Sequence, residues 1–237
     1  MSKNKKTNLQ LDEKIKYIGF DKDGVLINSF SAYTKEWGKI IKTKYNVNAQ
    51  KAEIVFKNTA GQPTDIQLAI VLKQHNINLS KKQIFKQANE IAALLGKRIK
   101  AQPFPEIHNV LQYLSNNGFF LFVSSGQHGQ VVVDDLKRAN LIKFIDFYAG
   151  IRPNQPKFKK GLAHFRAASE YFKVPFNSFV KKTVFVGDTL EDIKVCTEAG
   201  ITSICRSGTY SKKDLLKAGA KIVVPNLSKL STILSNL

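Results

Sequence analysis

Four short segments carry residue types at spacings suited to handling phosphate. In chain order they are Phe20-Asp21-Lys22-Asp23-Gly24-Val25, Val123-Ser124-Ser125-Gly126, Lys160-Gly161, and Val186-Gly187-Asp188 with Asp192 four residues on. The first sets two carboxylates two residues apart, followed by a glycine that lets the chain turn sharply. One carboxylate can attack a phosphorus atom while a divalent cation screens the repulsion between anions. The other can act as general acid and then general base. The plainer alternative is a solvated turn, in which Asp and Gly are common. An EF-hand loop is excluded. It needs glycine sixth and glutamate twelfth, whereas counting from Asp21 the glycine is fourth and the twelfth residue is Ala32.

In the second segment, hydroxyls and backbone N–H groups of Ser124 and Ser125 at a strand end, before a helix, make an anion-binding corner. Ser-Ser-Gly is also an ordinary loop. In the third, a cation neutralises phosphate and positions the attacking carboxylate. Lys157, Lys159 and Lys160 all stand here, and Lys160 is preferred because Lys-Gly opens a helix. In the fourth, an apolar run delivers Asp188 at its tip, and Asp192 follows one helical turn later on the same side. A few hard oxygen ligands suit Mg²⁺, which keeps some of its waters. Asp192 can instead serve only to favour the helix N-terminus electrostatically.

Three of these segments follow short apolar runs that read as buried strands, so their polar residues share one rim of a sheet. The first strand is expected at 15–20, and further strands at 119–125, 145–151, 183–188, 201–206 and 221–225. Helices are expected at 105–117, 128–140, 160–173, 190–199 and 211–218. This alternation implies an α/β fold, a doubly wound parallel sheet covered on both faces. From about Ser31 to Lys100 apolar residues recur at helical spacing instead, as in Trp37, Ile40, Ile41 and Ile66, Ala69, Ile70. An all-helical domain over 30–100 is therefore expected, inserted into a core of 1–29 and 101–237, with Thr64 or Asp65 capping one of its helices. Residues 1–13 are polar and expected to be loose.

The hydrophobic share, 43%, permits a real core. No apolar stretch approaches the roughly 18 residues that span a bilayer, and the lysine-bearing N-terminus lacks the apolar region of a secretory signal. The cytoplasm is the default location, with no membrane partner. Cys196 and Cys205 are too few for a disulfide framework or a zinc site and read as packed thiols. The net charge of +19 admits a nucleic-acid partner. The basic residues are nearly all scattered lysines, however, without an Arg-rich or aromatic-interleaved run. Genome composition is the favoured explanation, and a positive field attracts phosphorylated substrates in any case.

Assembled, these residues resemble the haloacid dehalogenase superfamily, and within it the phosphatases with a helical cap, such as phosphoglycolate phosphatase-like enzymes. The resemblance covers roughly residues 15 to 235 and rests on Asp21-x-Asp23-Gly24-Val25, Ser124, a lysine at 157–160, and Gly187-Asp188 with Asp192. It implies a Rossmann-like core with the helical insertion as cap. It implies Asp21 as nucleophile through an aspartyl-phosphate, and Asp23 as acid and base. It implies Mg²⁺ on Asp21, the backbone carbonyl of Asp23 and Asp188, with Asp192 supporting. Ser124 and the N–H of Ser125 would hold phosphate, and Lys160 would bridge phosphate and Asp21. Dehalogenases of the superfamily lack the second aspartate and need no metal, so Asp23 points to phosphoryl chemistry.

The chain departs from the family pattern in two places. Lys22 stands where an apolar residue is usual and is expected to point away from the site, and the lysine motif lacks its common Lys-Pro form. The loop Gly61-Gln62-Pro63-Thr64-Asp65 resembles the family's substrate-specificity loop. Gln127 and His128 lie near enough to Ser124 to touch substrate, though a capping or solvated role is expected of His128. The leading expectation is a monomeric Mg²⁺-dependent phosphatase of a small metabolite: a sugar phosphate, phosphoglycolate or a nucleotide. A phosphomutase, a phosphatase of nucleic-acid ends and a catalytically silent binding protein are the alternatives.

Overall fold

Among the described residues, runs of aromatic and β-branched residues form six strands, β1 Tyr17–Phe20, β2 Phe120–His128, β3 Phe147–Ile151, β4 Thr183–Gly187, β5 Thr202–Arg206 and β6 Ile222–Val224. This is a computed structural model, and it describes residues 14–100, 102–152, 155 and 157–237. The segment 1–13, expected to be loose, lies outside the described residues. All strand pairs are parallel, in the order β3-β2-β1-β4-β5-β6. Every residue of β1 and β4 is buried, as the centre of a sheet covered on both faces requires. The chain winds outward from β1 to β3, then returns to β4 and winds the other way. A crevice at such a reversal is where open α/β sheets bind ligands.

Between β1 and β2 come four consecutive helices, α1 Phe30–Tyr45, α2 Ala49–Asn58, α3 Thr64–Gln74 and α4 Lys81–Arg98. They have a hydrophobic core of their own, which includes Trp37, Ile41, Val55, Leu68, Leu72 and Ile91. Asn48 caps α2 through its side chain, and Ser80 with Gln83 forms a capping box on α4. The expected cap at Thr64 or Asp65 is not formed. Pro63 occupies the cap position and Thr64 is already helical. Proline's fixed φ suits the start of a helix, where its missing N–H is not needed.

The remaining helices are α5 Ile107–Asn116, α6 Gly129–Arg138, α7 Leu162–Tyr171, α8 Phe176–Lys181, α9 Leu190–Ala199, α10 Lys212–Lys217 and α11 Leu230–Leu234. The short helices α8 and α11 were not expected, because one or two turns are too few for helical periodicity to register. One face of the sheet buries Ile18, Phe20, Val123 and Val186 against Leu111, Leu136 and Leu230. The other buries Tyr17, Phe122 and Phe185 against Phe165, Phe179 and Cys196. Cys196 and Cys205 are buried free thiols.

Strand β2 runs past its expected end. Its partner register on β3 passes from Ser124↔Ala149 to His128↔Ile151, four residues against two. Ser124, Ser125 and Gly126 thus sit inside a bulged strand, a device that re-aims side chains beside sites.

Candidate active site

Strand register builds the site. Phe20 pairs with Val123 on one side and with Val186 on the other, which sets Asp21, Ser124 and Gly187 at one level of the rim. Asp21 donates its N–H to the Val186 carbonyl at 2.9 Å. Its Oδ1 accepts from the Lys22 N–H at 2.7 Å, and its Oδ2 lies 2.9 Å from Lys160 Nζ. The same Nζ is 2.6 Å from Asp192 Oδ1. Of the three candidate lysines, Lys160 is the one drawn into the site, while Lys157 and Lys159 are exposed. Lys160 stands just before Gly161, the N-cap of α7.

Asp21, Asp188 and Asp192 are all buried, and each offers an oxygen within 4.8 Å of the others. Burial pushes the Asp21 carboxyl up to about 7, with Lys160 opposing and the charges of Asp192 and Asp23 adding. Burial, then the charges of Asp21 and Asp192, hold Asp188 well above the usual carboxylate range. Burial alone would lower the Lys160 ammonium, but the charges of Asp192 and Asp21 outweigh it and raise it. Asp188 Oδ2 accepts from the Thr209 hydroxyl, while its buried Oδ1 has no partner among the described residues. A buried, oxygen-only donor set with an orphaned carboxylate oxygen fits a hard divalent cation. Gly24 makes room for the Asp188 carboxylate. Its φ is +79°, and a Cβ there would stand 1.9 Å from Asp188 Oδ2.

Asp192 caps a helix start and also faces the site lysine. Its Oδ2 accepts from the N–H of Asp188 at 3.1 Å, from the N–H of Thr189 at 3.0 Å and from Thr189 Oγ1 at 2.6 Å. This is half of a capping box at the start of α9, which leaves Oδ1 to face Lys160.

The Asp23 carboxylate lies outside this trio and turns to other donors. Ser29 Oγ donates to Oδ1 at 2.6 Å, and Gln127 Nε2 donates to Oδ2 at 2.9 Å. Lys22 Nζ is 3.0 Å from the same Oδ2. The expectation that Lys22 points away is therefore wrong. Its side chain is fully buried and is also ion-paired with Asp135 on α6. Strand alternation stops at Asp21, because Leu26 and Ile27 donate back to the Lys22 carbonyl and close a turn.

Ser124 and Ser125 are buried. Ser124 Oγ is 2.9 Å from Nδ1 of the fully buried His164, whose Nε2 has no partner among the described residues. Burial, then Lys160 and Arg152, push His164 down to about 3, so its ring is neutral. Ser125 Oγ accepts from the Gln127 N–H at 3.2 Å. Gln127 also donates to the Tyr33 hydroxyl at 2.9 Å, so it serves the Asp23 side of the site. His128 takes the N-cap position of α6 without a side-chain capping bond. Ser29, Tyr33, Asp135, His164 and Thr209 escaped sequence reasoning. None belongs to a motif, and only Ser29 lies close in sequence to the residue it serves.

The loop after α2 rests on this rim. Gly61 (φ +89°) abuts Thr189, where a Cβ would come within 2.9 Å of Oγ1. Gln62 Nε2 donates to Glu191 at 3.4 Å, and the Tyr210 hydroxyl donates to the Ala60 carbonyl at 3.4 Å.

The sequence model of the haloacid dehalogenase-like hydrolases matches residues 18–205. The chain belongs to that family of hydrolases. Among solved structures it is similar to a predicted phosphatase from Clostridium acetobutylicum (20% identity, 94% of this chain and 100% of that one, TM-score 0.78). It is also similar to a protein assigned as a phosphoglycolate phosphatase from Lactobacillus delbrueckii subsp. bulgaricus (19%, 93% and 98%, 0.76). A third is assigned as a β-phosphoglucomutase from Thermotoga maritima (19%, 94% and 100%, 0.67). At these identities the likeness is one of fold. No curated protein matches the sequence. Among the described residues no helix is long and apolar enough to cross a membrane.

Proposed function

We propose that the chain is a Mg²⁺-dependent phosphatase of small phosphorylated metabolites that works through an aspartyl-phosphate on Asp21. The observation that carries this reading is Lys160 Nζ, 2.9 Å from Asp21 and 2.6 Å from Asp192, beside the orphaned oxygen of Asp188. A carboxylate nucleophile needs such a cation to approach an anionic phosphorus. Asp21 attacks, and the Ser124 hydroxyl, the Ser125 N–H and Lys160 hold the phosphate oxygens. Asp23 protonates the leaving oxygen and then takes a proton from the attacking water. Mg²⁺ would be held by Asp21, the Asp23 carbonyl and Asp188, with Asp192 in support, and when bound it neutralises charge on the phosphoryl group. Residues 30–100 form the cap, and its contact through Gly61 and Gln62 excludes water during the first half-reaction.

The test is phosphate release from a broad panel of phosphorylated metabolites, with Mg²⁺ or with EDTA, beside Asp21→Asn. Metal-dependent release that is lost in the variant supports the reading. No release from any compound by folded, Mg²⁺-loaded protein overturns it.

A further inference from the structure

A charged side chain, Lys22, stands between the two acidic residues of the first motif. Lys22 is buried to zero exposure, where an apolar side chain would pack without the cost of desolvating a charge. Its ammonium has two carboxylate partners. One is Asp23, at 3.0 Å. The other is Asp135 on α6, itself held by Arg138 at 3.0 Å. Around the Asp23 carboxylate, Ser29 donates to one oxygen and Gln127 to the other, while Lys22 reaches both, at 3.2 and 3.0 Å. The two oxygens are thus braced from three directions, by donors on the loop after β1 and on the β2 bulge, and by an ammonium tied to α6. The Lys22 ammonium has no contact with the Asp188–Asp192 side of the site.

We infer that Lys22, anchored by Asp135, is a positioning residue that holds the Asp23 carboxyl group where it meets the leaving-group oxygen. This rests on the phosphatase reading above. When the P–O bond breaks, its electron pair goes to the leaving oxygen and the Asp23 proton follows it, while Asp21 keeps the phosphoryl group. A poor leaving group depends on that proton, whereas a stable phenolate hardly needs it. A misplaced Asp23 therefore slows formation of the aspartyl-phosphate selectively, according to the leaving group.

The experiment measures kcat and KM for a series of substituted phenyl phosphates, from 4-nitrophenyl to unsubstituted phenyl, with Mg²⁺. It compares wild type, Lys22→Met and Asp135→Asn, each checked for folding by its melting curve. General acid catalysis contributes about a hundredfold or more, so Lys22→Met is expected to lose at least about tenfold more kcat/KM, which reports formation of the shared aspartyl-phosphate, on phenyl than on 4-nitrophenyl phosphate. Asp135→Asn should tilt the series the same way, less steeply, and it decides the matter alone if Lys22→Met does not fold. An equal loss across the series, or no loss, overturns the positioning role while leaving the phosphatase reading intact. A wild type inactive on every member, and on the metabolite panel, overturns both.

Discussion

Ser124 Oγ and His164 Nδ1 lie 2.9 Å apart, both side chains fully buried, although forty positions separate them in the chain. The imidazole is neutral, so it can fix the serine hydroxyl without adding charge beside Lys160. Its value of about 3 lies below the ~6.5 of an unfolded histidine. Between those values the unfolded chain takes up a proton that the folded chain refuses. The contribution of His164 to stability is therefore complete above about 6.5 and declines as pH falls toward 3, by up to ~1.4 kcal/mol per pH unit. Urea unfolding from pH 7 to pH 4.5 should show a shallower acid loss in His164→Gln than in wild type.

Lys160 is the cation that the Asp21–Asp192 pair was built around. Lys160→Met should abolish detectable turnover and destabilise the metal-free protein by about 3 kcal/mol near pH 8, where two buried carboxylates lose their counter-charge. The Asp21 carboxyl, already up to about 7 with the lysine present, binds its proton more readily in the folded than in the unfolded chain. Its burden on stability is absent below the unfolded value of ~3.9 and grows as pH rises through the folded one. The variant should therefore recover part of its stability at pH 5. Chemical unfolding at the two pH values checks this.

Asp188 brings the orphaned buried oxygen to the acidic cluster. A cation that binds only the folded chain at a hundred times its dissociation constant adds about 2.7 kcal/mol. Mg²⁺ should therefore raise the melting temperature of wild type and leave Asp188→Asn nearly unmoved. With EDTA at pH 8 the order should reverse, with the variant the more stable, because it removes one of three mutually repelling carboxylates.

Much of the core was legible because its signals are local. Apolar runs ending in Asp21, Ser124 and Asp188 mark parallel strands whose ends must share a rim, and β1, β2 and β4 meet there in register. Helical spacing from Ser31 to Lys100 likewise announced α1 to α4. The Thr64 or Asp65 cap was misread because proline and threonine are both plausible helix starters, and only backbone geometry separates them. The second strand ran long because a bulge depends on what its neighbour offers, here Ala149 and Ile151.

The sequence by itself determined the class of chemistry: the order of the acidic, hydroxyl and basic segments, the strands that deliver them and the helical insertion between the first two. Tertiary structure alone decided which lysine enters the site, that Lys22 turns back onto Asp23, and that His164 stands behind Ser124 and Thr209 beside Asp188. The reason is physical. Strand and helix periods constrain neighbours a few residues apart, whereas a long side chain leaving a turn goes where buried charge finds its partner, and that partner comes from a distant part of the chain.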